Sequence, residues 1–205
     1  MEWFDDWFSV IAAIFVFTVF ILTFVKPVRK RDWKSLGLYE AFIVSLFTEM
    51  FGIPLTIYVL SSLGLPLTAN PLQGHLLAAL LAMAGVWDLE IGVTIVMVVS
   101  VLMLLLGAYL VIAGWRQIYN AKDTLVTNGL YGVVRHPQYL GIMIVTTAFL
   151  IQWPTIITVA IWPILTYAYY RQTKKEERQM EERFGERYRQ YKGRVSMLIP
   201  RFKLK

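Results

Sequence analysis

Between Ile91 and Ala113 the chain runs for 23 residues without a single charged side chain. A helix rises 1.5 Å per residue, so such a run is long enough to cross a hydrocarbon core about 30 Å thick. With no water there to satisfy backbone groups, a run of this kind has to be helical. The rest of the sequence has the same character. Hydrophobic residues make up 57% of the 205 and charged residues 17%, too apolar for an ordinary soluble domain. The sequence therefore predicts an all-α membrane protein. There is no cysteine, which excludes disulfides, thiol chemistry and thiolate–metal sites. With His75 and His136 as its only histidines, the chain is expected to hold no metal.

About five spans are expected. The first runs from Phe8 to Val25, after an acidic, aromatic start (MEWFDDWF) that lacks the basic region of a cleavable signal. Lys26, Arg29, Lys30, Arg31 and Lys34 follow and predict a cytoplasmic loop, with the N-terminus outside. Trp3, Trp7 and Trp33 flank this span as interfacial aromatics do. A second span, Tyr39 to Leu60, carries Glu49 near its middle and Pro54 one turn later. The uncharged stretch SSLGLPLTANPLQG reads as an external loop. His75 to Trp87 is short for a crossing and is read as a re-entrant or interfacial helix. If it crossed, Arg116, Lys122 and Arg135 would lie outside, against the charge bias. The third span is Ile91 to Ala113. Two further apolar runs between Pro137 and Thr173 break at Gln152-Trp153-Pro154 and predict a hairpin, with Pro137 in the first helical turn and Pro163 bending the second arm. The C-terminus is then cytoplasmic and extends as a helix. The net charge of +6 is assigned to lipid headgroups and topology, with no nucleic acid partner.

Two polar stretches fall on the predicted cytoplasmic side. The first, NGLYGVVRHPQYLG (128–141), holds Tyr131, Arg135, His136, Tyr139 and Gly141. Proline disfavours helix at the preceding residue, so His136 is held extended at the start of a helix. In the second, Thr173, Glu177, Met180, Phe184, Tyr188 and Tyr191 recur at spacings of three or four and share one helical stripe. Glu176 lies about 100° from Glu177 on the helical wheel, so the two carboxylates are expected to face different partners. Gly185 is expected to interrupt this helix and Gly193 to end it. Arg171, five residues before Glu176, reads either as a snorkelling arginine or as a dock for an anionic group. Glu49, a carboxylate inside a span, is expected to face a protein partner or a cavity.

LVTNGLYGVVRHPQYLG followed by EERQMEERFGERYRQYKGRVSMLIP resembles the C-terminal half of the integral-membrane methyltransferases, which include the isoprenylcysteine carboxyl methyltransferases and phospholipid N-methyltransferases. The resemblance runs from Leu125 to Pro200 and divides the chain into residues 1–120, the unrecognised substrate side, and 121–205, the cofactor-binding region. It implies S-adenosylmethionine as cofactor, with Arg135, His136, Tyr139 and Gly141 on one wall, Glu176 and Glu177 on the other, and Tyr131, Tyr188 and Tyr191 covering the adenosine. It also implies a lipidic or hydrophobic small substrate, with Arg171 docking a substrate carboxylate. Carboxyl O-methylation is on that account slightly favoured over amine N-methylation, which would call for a base such as Glu49, Glu176 or His136. The implied setting is the inner membrane of a prokaryote. Membrane sterol reductases share an RHPxYxG-like segment but use NADPH; the glutamate pair followed by Phe184, Gly185, Tyr188 and Tyr191 favours the methyltransferase. A non-catalytic binding module on the same fold is the third reading.

Overall fold

The computed structural model describes residues 4–24, 30–68, 70–121 and 124–200. Trp3, Val25, Lys26, Arg29 and Lys122 lie outside the described residues, as do the side chains of Lys30, Arg31, Trp33 and Lys34. Within them the chain is all-α: α1 Trp7–Phe24, α2 Lys30–Phe47, α3 Leu55–Ser62, α4 Pro71–Gly74, α5 Leu76–Met83, α6 Leu89–Asn120, α7 Pro137–Gln152, α8 Ile156–Phe184 and α9 Glu186–Arg194. The chain divides into two compact units, Met1–Met103 with Thr146–Leu165, and Leu104–Val145 with Thr166–Lys205.

In the first unit, Asp6 caps α1, accepting from the backbone N–H of Ser9 at 3.1 Å and from its hydroxyl at 2.5 Å. The second expected span is broken. A π-helical turn, Thr48–Gly52, ends α2, and the chain bends by 74° before α3. Pro54 accounts for the break, because it offers no N–H and cannot continue a helix. Glu49 sits in the π turn, 4% exposed, and its Oε2 accepts from the Thr56 N–H at 2.7 Å. It therefore acts as a buried cap on α3 rather than lining a straight span. Phe17, Phe47 and Phe149 pack edge-to-face or stacked, with centroids 5.0–5.6 Å apart. His75 meets the Gln152 carbonyl at 2.7 Å through Nδ1 and packs against Trp153, so it is a buried structural group. Helix α5 has only eight residues, in keeping with a segment that does not cross.

Helix α6 is 32 residues long, and only 22% of its apolar window is buried. Val98, Leu102, Leu105, Leu106 and Tyr109 are exposed along it. A stripe of that size facing outward belongs in lipid rather than water. Among the described residues it is the helix long and apolar enough to cross by itself; the bent Leu36–Gly52 and Leu55–Ser62 pair supplies a second crossing if counted as one span. Helices α1 and α7 are apolar but shorter.

Pro137 is the first residue of α7, as expected. The hairpin break falls at residues 153–155, where the Thr155 hydroxyl accepts from the Thr158 N–H at 3.0 Å and caps α8. Helix α8 continues through Pro163 and out into the charged region as one element. Gly185 separates α8 from α9 with φ of +56°, a conformation that costs glycine nothing. Gly193, expected to end the helix, lies inside the last turn of α9, which stops at Arg194. A Cβ there would meet nothing within 4 Å. Gly193→Ala is accordingly expected to leave the melting temperature unchanged or raise it, adding up to about 1 kcal/mol of stability; a thermal melt in detergent checks this.

Candidate active site

The site lies within the second unit. Three local features shape the loop before α7. Gly129 has φ of +58° and opens a short 3-10 turn, Gly129–Gly132. The positive φ is what favours glycine here; an added Cβ would meet only the flexible end of the Gln117 side chain, 2.4 Å away. The extended residues before Pro137 then pair with the segment after α9. The N–H of Arg135 donates to the Ser196 carbonyl at 2.8 Å and that of His136 to the Met197 carbonyl at 3.1 Å.

Arg135 joins three pieces of chain. Its Nε donates to Glu177 Oε1 at 2.8 Å, and Nη2 reaches the same oxygen. Nη1 donates to the carbonyls of Lys192, at 3.1 Å, and Val195. Glu177 is 1% exposed and also has Lys192 Nζ 3.4 Å from Oε2. Burial pushes the Glu177 carboxyl up, but the neighbouring His136 and Arg135 outweigh it and hold it at about 2. The charged, depressed form stabilises the fold above the ordinary carboxyl value of 4.5, and that contribution is lost as pH falls through about 2. Between those limits the wild type is expected to lose about 3 kcal/mol relative to Glu177→Gln, measured as converging melting temperatures across an acid titration.

Glu176 points elsewhere. Its side chain is 37% exposed, and Oε1 accepts from the Tyr139 hydroxyl. His136 stands between the two glutamates, Nδ1 3.7 Å from Glu176 and Nε2 3.7 Å from Glu177, with no hydrogen bond to Nε2. Tyr188 and Tyr191 pack edge-to-face at 5.8 Å. The Tyr191 hydroxyl donates to the Tyr131 carbonyl at 2.6 Å. Burial pushes the Tyr191 phenol up to about 12 and those of Tyr131 and Tyr188 above the usual range, so all three are neutral at physiological pH.

These side chains enclose a cleft with about 790 Å³ of empty space, part of it open to solvent. The cavity proper, about 160 Å³, is smaller than typical small-ligand sites of roughly 300–1,000 Å³, and the rest of the space is open to solvent. Its walls bring together Tyr131, Arg135, His136, Tyr139, Glu176, Tyr188 and Tyr191 from the residues expected in the sequence. Met180, Phe184 and Arg183 also line it. The first two stand on the helical stripe but carry no assigned role in the sequence; Arg183 carries no sequence signal beyond its charge.

Four expected site residues are placed differently. Gly141 does not line the cleft: a Cβ there would lie 2.6 Å from the Gly107 carbonyl and 2.8 Å from Val111, so its role is close packing of α7 on α6. Arg171 is exposed, with its guanidinium 5.9 Å from the Tyr167 ring, and is not among the lining residues. Glu177 lies behind the wall, holding Arg135, rather than in it. Glu49 belongs to the first unit.

Residues 93–182 match the model of the isoprenylcysteine carboxyl methyltransferase (ICMT) family. Over that stretch the chain is similar to this family. The matched stretch covers α6 from Val93, the loop before α7, α7 and nearly all of α8. It begins well ahead of Leu125, where the motif resemblance starts, and α9 lies beyond it. Of curated proteins, methanethiol S-methyltransferase 1 of Bradyrhizobium diazoefficiens is 40% identical over 77 residues, which is 35% of this chain and 24% of the relative. Protein-S-isoprenylcysteine O-methyltransferase of Schizosaccharomyces pombe is 29% identical over 82 residues, 40% of this chain and 35% of the relative. The chain thus spans about a quarter to a third of the length of these relatives. No solved structure matches.

Proposed function

We propose that the protein is an S-adenosylmethionine-dependent methyltransferase acting on a lipidic or hydrophobic small acceptor at a membrane. The observation that carries this reading is the convergence of Glu176, His136, Tyr139 and the tyrosines of α9 on one cleft. The residues suit the cofactor's parts. Glu176 offers a carboxylate to an ammonium or to ribose hydroxyls. The faces of Tyr188 and Tyr191, together with Phe184 and Met180, suit an adenine ring. Arg183 and His136 supply donors for a carboxylate.

The bound cofactor supplies a methyl group made electrophilic by a sulfonium sulfur. The chain's own work is alignment and exclusion of water. Methyl transfer by in-line displacement needs the nucleophile held at the methyl carbon opposite sulfur, and positioning of that kind accounts for a large share of such rate enhancements. Tyr139 fixes the Glu176 carboxylate through its hydroxyl, and the Arg135–Glu177 pair fixes the loop that carries His136. Tyr131, Tyr188 and Tyr191, buried and neutral at physiological pH, exclude water while adding no competing charge.

The preference for a carboxylate acceptor rested on Arg171, and the exposed position of Arg171 removes its geometric support. The two relatives are named for S-methylation of methanethiol and for O-methylation of an isoprenylcysteine. A carboxylate is already anionic at neutral pH, whereas a thiol must give up its proton, for which His136 and Glu176 in the cleft are acceptors. We assign the acceptor to this class: a hydrophobic molecule with an anionic nucleophile. The crossing elements supply five spans in this reading, with the N-terminus outside and the cleft and C-terminus at the cytoplasmic face of a prokaryotic inner membrane.

Calorimetry on detergent-purified protein tests the proposal, with S-adenosylhomocysteine and NADPH titrated separately. Glu176→Gln is expected to weaken S-adenosylhomocysteine binding by about 10- to 100-fold with no change in melting temperature. Binding of NADPH alone, or S-adenosylhomocysteine affinity indifferent to Glu176, would overturn it.

A further inference from the structure

Helix α9 has two faces. Tyr188 and Tyr191 are buried against the rest of the second unit. Arg187, Gln190 and Arg194 lie three and four residues apart on another face, all exposed. They do not simply point into bulk water. Together with Leu125, Thr127 and Tyr191 they line a cleft of their own.

The cations of α9 divide into two classes. Arg189 pairs with Glu186 at 3.5 Å. Lys192 donates to Glu181 at 2.6 Å and pairs with Glu177. Arg187 and Arg194, the two in the cleft, make no ion pair among the described residues. Two guanidiniums two helical turns apart along one face of α9, with an amide between them, border a space whose lining also includes Thr127 and holds no acidic side chain. Guanidinium forks match the oxygens of phosphate, and an arginine pair is the usual means of holding one. The cleft also shares Leu125 and Tyr191 with the larger cleft described above, so its occupant abuts the same wall.

We propose that Arg187, Gln190, Arg194 and Thr127 form a binding site for a phosphate-bearing ligand, the phosphodiester of an anionic membrane phospholipid or a free phosphate. The site is independent of which cofactor or acceptor the larger cleft takes. Anionic leaflets attract basic segments at the membrane surface in general. This site differs from that general attraction because it names two arginines and exempts the other two cations of the same helix.

The test is native mass spectrometry of the full chain in detergent, titrated with phosphatidylglycerol or phosphatidylcholine, alongside thermal melts with millimolar inorganic phosphate. Arg187→Gln/Arg194→Gln is expected to weaken phosphatidylglycerol binding by about tenfold, while Arg189→Gln leaves it unchanged. Phosphatidylcholine, which has the same phosphodiester but no net charge, is expected to bind the wild type more weakly than phosphatidylglycerol does and to lose less in the double variant. All three are expected to fold, since neither cleft arginine has a partner to lose; the melt without additive confirms it. Stabilisation by inorganic phosphate that disappears in the double variant would support the site with free phosphate as its source. Phosphatidylglycerol and phosphate responses that are the same in wild type and double variant, or equally reduced by Arg189→Gln, would overturn it.

Discussion

Arg135→Ala is expected to destabilise the second unit by about 3–5 kcal/mol and to abolish S-adenosylhomocysteine binding. The cost follows from what is left behind. Arg135 makes four side-chain hydrogen bonds, to Glu177 and to the carbonyls of Lys192 and Val195. Its removal strands a carboxylate that is 1% exposed, and an unpaired buried charge costs more than the pair was worth. A loss of that size is a large fraction of the 5–15 kcal/mol that holds a typical domain together. Lysine cannot substitute, since a single ammonium cannot reproduce the fork that reaches Glu177 and two carbonyls. The double variant Arg135→Met/Glu177→Leu is expected to recover much of the stability, because no charge remains buried, yet none of the binding. Thermal melts in detergent with calorimetric titration read both. An Arg135→Ala protein that melts with wild type would show that the pair is not structural.

Gly141→Val is expected to cost at least 3 kcal/mol and to yield little folded protein. The nearest neighbour of the added Cβ is the Gly107 carbonyl at 2.6 Å, which is helix backbone and cannot swing aside. Gly114, two turns along α6 from Gly107, meets Pro137 and Gln138 with a Cβ distance of 3.1–3.2 Å, so α6 and α7 approach closely over two turns. Such contact between helices relies on small residues, in lipid above all, where dispersion between close backbones replaces the hydrophobic driving force. Gly141→Ala is expected to cost about 1–3 kcal/mol. Size-exclusion profiles and melts check both. If Gly141→Ala melted normally but lost S-adenosylhomocysteine affinity, the packing role would be wrong and the glycine would belong to the cofactor wall.

The two glutamates show how far the linear pattern reaches. The 100° between Glu176 and Glu177 predicts that they face different partners, and they do. Which of them faces the cleft depends on where Arg135 sits, 42 residues earlier, and no local pattern carries that. Glu49 is a similar case. Its isolation within an apolar run marks it as partnered, but only the bend at Pro54 brings the Thr56 N–H to it. Arg171 and Gly141 fit the motif by spacing; each lies on a helical face turned away from the cleft, and helical facing outside the stripe is set by tertiary contact.

What the sequence determined alone is whatever depends on local chemistry and periodicity. Apolar runs must be helices because bilayer hydrocarbon cannot satisfy a bare backbone. Pro137 starts a helix, Gly185 breaks one, and the stripe from Thr173 to Tyr191 turns inward, each for reasons contained within a few residues. The tertiary structure decided the rest: which carboxylate is clamped and which is offered, which glycine packs rather than binds, and which arginines of α9 remain without a partner. Those outcomes turn on distances of a few ångströms between residues far apart in the chain, where one buried partner reverses the preferred state of a charged group.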